Sequence, residues 1–169
     1  VYKRQLWERT ITLNGFSKAY SMTGWRVGYF CAPPEITSAA LKIHQYVMLC
    51  APTMSQFAAI EALKHAEDSK DRMVAEFRMR RNLFVAGLNR IGLPCHLPKG
   101  AFYAFPSIES TGLSDEEFAE RLLIEQQVAV APGSAFGPSG VGHIRCAYAV
   151  SREDLGEAVK RIGEFIESI

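Results

Sequence analysis

Two cations in the segment GFSKAYSMTGWRVGY, residues 15–29, are the residues best placed to do chemistry. Lys18 and Arg26 stand eight positions apart, and nothing else in the segment is charged. Phe16, Ala19, Tyr20 and Met22 surround the lysine, and such apolar company disfavours a hydrated ammonium. A neutral amine is a nucleophile, and lysine is the side chain that forms Schiff bases with carbonyl groups. Arg26 offers a planar fork of donors matched to a phosphate. Ser17, Ser21 and Thr23 add hydroxyls, and Gly24 permits a tight turn. An aldehyde-reactive lysine beside a phosphate clamp points to pyridoxal 5'-phosphate. On these residues alone a plainer reading stays open, because cations near glycines commonly face solvent in a loop.

The rest of the chain limits the alternatives. Of its 169 residues, 48% are apolar and 22% charged, the profile of a globular protein able to bury a core. The net charge is +1 with no basic stripe, so no nucleic-acid partner is expected. No apolar run approaches the roughly 18 residues of a membrane span, and the N-terminus lacks the apolar stretch of a signal peptide. The four cysteines form no Cys-x-x-Cys pair, so reduced thiols in a cytoplasmic protein are expected rather than a disulfide framework. The four histidines are scattered, and no metal site is expected.

Periodicity gives the elements that must position these residues. Strands are expected at Thr10–Asn14 and Arg26–Ala32, the second apolar enough for a sheet covered on both faces. A helix follows Pro33-Pro34, with Ile36, Ala40, Ile43 and Val47 as its apolar stripe. Thr53 with Gln56 reads as a capping box for a helix to about Ala66. A longer helix is expected from about Ser69 to Ile91, with Met73, Phe77, Phe84, Leu88 and Ile91 on its apolar side. Gly92 and Pro94 end it, and the lobe boundary is expected near Gly92. Beyond it lie strands in GAFYAFPSI, VAVAPG and HIRCAYA, and a helix capped by Ser114 with Glu117. The last helix is capped by Ser151 and striped by Leu155, Val159, Ile162, Ile166 and Ile169. This order predicts a compact α+β lobe.

SKAYSMTGWRVGY resembles the lysine signature of class I/II aminotransferases. PKGAFYAFPSI, VAVAPGSAFGPSG and HIRCAYA then follow in the family's order and are similar to the small domain of aspartate- and aromatic-type enzymes. The resemblance implies an α/β chain, the C-terminal part of the type I pyridoxal-phosphate-dependent transferase fold. Residues 1–92 would be the end of the large cofactor-binding domain with a connecting helix, and 93–169 the small α+β domain. Lys18 would hold the cofactor's aldehyde and shuttle a proton, as covalent anchor and general base. Arg26 would pair with the cofactor phosphate, and Ser17 would add a hydroxyl. Arg145 would grip the substrate's α-carboxylate, with Gly100 and Phe136 lining the pocket. For Phe136, core packing is nearly as good an account. Tyr20 and Trp25 are expected to pack around the site. The substrates implied are an amino acid and a 2-oxo acid, and the intact protein would be a homodimer.

Relatives carry upstream of the lysine an aspartate for the pyridine nitrogen and a tyrosine near it. Here only 17 residues precede Lys18, Tyr2 is too close to be that tyrosine, and no aspartate occurs before Asp68. The resemblance therefore implies a C-terminal fragment with little activity by itself. Val1–Gln5 match no part of the pattern. Two other functions stay compatible with these motifs: a pyridoxal-phosphate lyase or synthase of the same fold, and the aminotransferase-like domain of a transcription regulator.

Overall fold

A computed structural model describes residues 6–169; Val1–Gln5 lie outside the described residues. The chain packs as two units, Val1–Arg72 and Met73–Ile169, which divide inside its longest helix. The reason is burial. The C-terminal half of the helix carries Phe84, Val85 and Leu88 into the core of the second unit.

In the first unit, β1 (Thr12–Gly15) pairs antiparallel with β2 (Gly28–Cys31), Thr12 facing Cys31 and Gly15 facing Gly28. Between the strands come a one-turn helix, α1 (Phe16–Ala19), and a 3-10 turn at Thr23–Trp25. Helices α2 (Pro34–Val47) and α3 (Thr53–His65) follow. The small core is Phe16, Met22, Ala59 and Ala62, with Tyr20 and Val27 packed against it. Buried Ser55 of α3 donates its hydroxyl to the Trp25 carbonyl at 2.6 Å, tying the helix to the loop that carries Arg26.

Three expectations for this unit are revised. All four residues of β2 are exposed, not covered on both faces. Among the described residues β1 and β2 pair only with each other. The stripe of α2 is likewise uncovered: no residue of the helix is buried, and Ile43 and Val47 are 66% and 71% exposed. Thr53 is the first residue of α3 rather than its cap, a position held by Pro52, so the capping box does not form. Gln56 still reaches back, donating to the Ala51 carbonyl at 2.8 Å.

Helix α4 (Glu67–Arg90) leads into the second unit. There β3 (Tyr103–Ala104), β4 (Ala131–Pro132) and β5 (Ile144–Ala147) form an antiparallel sheet with β5 in the centre. Helices α5 (Asp115–Gln126) and α6 (Arg152–Glu167) complete it. Both expected serine caps form: Ser114 accepts from the Glu117 N–H at 3.2 Å and Ser151 from the Asp154 N–H at 3.0 Å. Leu155 and Ile162 of the expected α6 stripe are buried, Val159 and Ile166 are half-buried, and Ile169 is exposed. The stripe omitted Phe165, which is fully buried and meets Phe118 edge-on at 5.2 Å. Strands β3 and β4 are only two residues long, but backbone bonding to the β5 segment continues past them, from Tyr148 N–H to the Phe102 carbonyl and from Gly133 N–H to the His143 carbonyl. Ser107 N–H donates to the Pro94 carbonyl and Ile144 N–H to the Pro106 carbonyl.

Two glycines make close approaches that side chains cannot. A Cβ on Gly87 of α4 would lie 2.9 Å from Val159 of α6, so the glycine lets these helices pack tightly. A Cβ on Gly133 would lie 2.0 Å from the Gly140 carbonyl oxygen. Gly156, inside α6, has open space around it. Gly133→Ala should therefore cost about 3 kcal/mol, whereas Gly156→Ala should gain about 1 kcal/mol from helix propensity. Urea-denaturation midpoints of the two variants should move in opposite directions.

Candidate functional site

Each unit carries part of the expected site. In the first, β1 ends at Gly15 in extended conformation, and α1 turns immediately after it. Phe16 points inward, 4% exposed, and rings Tyr20 and Tyr29 stand 5.7 and 5.6 Å from it. Lys18 is two residues further on, about 200° around the helix, and its side chain is exposed. The expectation that apolar neighbours withdraw it from water is thus not met within this chain. Ser17 is half-buried. Tyr20 packs as expected, but Trp25 is 43% exposed and contributes through its backbone carbonyl.

The tight turning is done by residues other than Gly24. Ser21 and Arg26 hold the left-handed conformation, with φ of 54° and 48°. Such backbone costs a non-glycine residue free energy, and it concentrates at functional sites. In Arg26 it aims the side chain back over its own loop, where Nη1 donates to the Thr23 carbonyl at 2.9 Å. Between Arg9 and Glu35 the chain has no carboxylate, so Lys18, Arg26 and the hydroxyls of Ser17, Ser21 and Thr23 make a donor set with no competing anion in the segment. That chemistry suits an anionic ligand bearing a carbonyl.

In the second unit the inward–outward alternation of β5 buries Ile144 and Cys146 and leaves Arg145 on the opposite face, half-buried. Its guanidinium carbon lies 4.5 Å from the centre of the Tyr103 ring and 4.4 Å from that of Phe136. Two aromatic rings thus cover the guanidinium by cation–π contact. No described carboxylate pairs with Arg145. Contacts through the flat faces leave the N–H edge as the place for an anion, which suits a planar carboxylate held by two parallel hydrogen bonds.

Phe136 is 51% exposed and its ring stands against the Arg145 guanidinium, outside the buried core. Tyr103 was not singled out from the sequence. The sheet register contains the signal: Tyr103 lies opposite Ala147, two residues from Arg145 and therefore on the same face. Gly100 sits on the exposed bend before β3, where a Cβ would meet nothing. The neighbouring Ala101, with φ of 63°, accepts from the Tyr148 hydroxyl at 3.0 Å. Burial pushes the Cys146 thiol up to about 12 and raises Cys95 as well, so neither is a nucleophile at neutral pH.

The family model described as aminotransferase class I and II matches residues 3–162. This chain belongs to that family. The match begins within the opening segment, so Lys3–Gln5 fall inside the family's span, contrary to the expectation from the motifs. Aminotransferase-type relatives bear this out. The chain is 58% identical over 159 residues to a putative aminotransferase, YugH, of Bacillus subtilis, covering 94% of this chain and 41% of that one. It is 47% identical to an aspartate aminotransferase of Pyrococcus abyssi, covering 93% and 41%. Among solved structures, an aromatic aminotransferase from Pyrococcus horikoshii superposes with a TM-score of 0.91 at 44% identity, over 96% of this chain and 44% of that one. The α/β fold class and the family are thereby shown. The chain spans about two-fifths of the length of the curated relatives it matches.

The left-handed backbone at Arg26 gives a test independent of any ligand. Arg26→Gly should raise stability by about 1 kcal/mol by relieving that conformation. A lowered denaturation midpoint would show that the Arg26 side chain stabilises the loop by more than the backbone costs it.

Proposed function

We propose that these residues form the C-terminal part of an aminotransferase that moves an α-amino group between an amino acid and a 2-oxo acid. The observation that carries the reading is Arg145, half-buried against two rings and paired with no carboxylate among the described residues. A guanidinium held this way is suited to the one group that every amino acid and every 2-oxo acid share, the carboxylate next to the reacting carbon. The curated relatives named above, called aspartate and putative aminotransferases, agree with this reaction class over a lyase or a regulator.

Pyridoxal 5'-phosphate is the proposed cofactor, and the donor set of the first unit fits it: an amine for its aldehyde, and a guanidinium with hydroxyls for its phosphate. When bound, the cofactor supplies an electron sink for charge developing at the substrate's Cα. Lys18 would hold the cofactor through its aldehyde and, once displaced by the substrate's amine, would be free to act as the general base for the proton at the substrate's Cα. Exposure of Lys18 leaves room for that exchange. Arg26 holds the phosphate, and Ser17 adds a hydroxyl donor. Arg145 orients the substrate through its carboxylate, and Phe136 and Gly100 bound the pocket. We assign residues 1–92 to the end of the large domain with its connecting helix and 93–169 to the small domain.

The intact protein is proposed to be a cytoplasmic homodimer, and these 169 residues alone to have little activity. The uncovered apolar faces of β2 and α2 support that reading, since they leave a substantial apolar surface without a partner layer.

Two experiments test the assignment in the intact protein. Borohydride reduction with pyridoxal 5'-phosphate should leave a phosphopyridoxyl group on the peptide containing Lys18, and Lys18→Ala should abolish this labelling. Labelling that persists on another lysine in the variant would move the anchor elsewhere. Arg145→Lys keeps the charge but loses the fork, and should raise KM for both substrates about tenfold or more. Unchanged KM for both would remove Arg145 from the carboxylate role.

A further inference from the structure

One buried carboxylate has no part in the assignments above. Asp115 is the first residue of α5 and only 4% exposed. A buried carboxylate is costly unless it is hydrogen-bonded. Asp115 meets that requirement by reaching across sequence to the turn Gly133–Phe136, where its Oδ2 accepts from the Ser134 N–H at 2.7 Å. Ser134's hydroxyl and N–H, together with the Gly142 N–H, hold its carboxyl below the usual carboxylate range.

The turn it grips follows β4 directly and is fastened at its start to the segment entering β5, while its far end bonds within the loop. Gly133 N–H donates to the His143 carbonyl, Gly137 N–H to Ser134, and Gly140 N–H to Gly137. The near-contact of Gly133 with Gly140 closes this loop on itself. Phe136 is the residue at the end of the turn, and its ring covers one face of the Arg145 guanidinium. Asp115 therefore links the rigid start of α5 to the ring that fixes the plane of Arg145. The guanidinium also stands against Tyr103, which the sheet holds in register. Phe136 also stands edge-on to Phe105 at 6.3 Å, and Asp115 adds a hydrogen-bonded tether to the turn that carries it.

We propose that Asp115 is a positioning residue for substrate binding: through Ser134 it holds the Gly133–Phe136 turn so that Phe136 keeps the Arg145 fork aligned for a carboxylate. The proposal rests on the reading of Arg145 as the carboxylate-binding residue. Asp115 touches neither substrate nor cofactor in this scheme, so its effect falls on KM for both the amino acid and the 2-oxo acid.

The test is steady-state kinetics of the intact protein with Asp115→Ala, Phe136→Leu, the double variant, and Arg145→Lys as reference. Asp115→Ala should raise KM for both substrates about tenfold while kcat changes less than about threefold. The double variant should be no worse than the more impaired single variant, because both changes disable one device. Asp115→Asn, whose amide oxygen still accepts from the Ser134 N–H, should recover most of the loss. If Asp115→Ala does not fold, Asp115→Ser replaces it: serine is too short to reach Ser134 but is tolerated in a helix's first turn. A folded Ala or Ser variant with unchanged KM overturns the proposal, as do KM effects that multiply in the double variant. A purely structural Asp115 would lower the melting temperature and leave KM alone. If Arg145→Lys itself leaves KM unchanged, the carboxylate reading fails and this proposal falls with it. If Arg145→Lys raises KM and the Asp115 variants do not, only the present proposal fails.

Discussion

The central position of β5 is the constraint on which the second unit depends. Hydrogen bonding on both edges fixes its register against β3 and β4, and strand geometry then decides which way each side chain points. Ile144 and Cys146 must enter the core, and Arg145 must leave it. A slip of one residue would bury the guanidinium and expose two core residues at once, so the core itself enforces the orientation of the arginine. The same register puts Tyr103 beside it. Helices α4 and α6 close the other side of the core, brought together where Gly87 admits Val159.

The first unit follows a different logic. Its core is only Phe16, Met22 and two alanines, and many of its large apolar side chains are exposed. What is well defined is the path of the chain between β1 and β2. The Gly15–Gly28 pairing allows close approach of the strand ends, with a Cβ on Gly28 only 3.1 Å from the Asn14 carbonyl oxygen. The loop between them is tied down by Ser55 at Trp25 and by the left-handed turns at Ser21 and Arg26. Local backbone geometry fixes this loop more than burial does. That is the arrangement expected where side chains are kept for a ligand rather than spent on packing.

Several elements were legible in the sequence because their causes are local. Ser114 and Ser151 cap their helices because a hydroxyl three residues before an N–H has little choice of partner. The long helix and the α6 stripe follow from a period of 3.6 residues. Other readings failed where the cause was distant. The stripe of α2 is correctly amphipathic, yet periodicity records only that a face wants cover, not whether cover is present. The capping box at Thr53 lost to Pro52, which takes the cap position itself. Strands β3 and β4 are shorter than their apolar runs because pairing with the β5 segment goes on only as single bonds and the isolated Ser107–His143 bridge.

For the candidate site, the sequence by itself determined the residue types: one amine, one fork beside hydroxyls, a second arginine in an apolar strand, and an order of motifs that identifies the family. These are covalent facts of the chain and need no folding to be read. Only the tertiary structure decided how the groups are presented. It set Lys18 outward because Phe16 takes the inward position, and Arg26 in a left-handed turn that the sequence assigned to Gly24. It placed Arg145 against Tyr103 and Phe136, and it tied Phe136's turn to Asp115, nineteen residues before Ser134. Contacts between residues far apart in sequence depend on register and burial over the whole unit, and no local pattern encodes them.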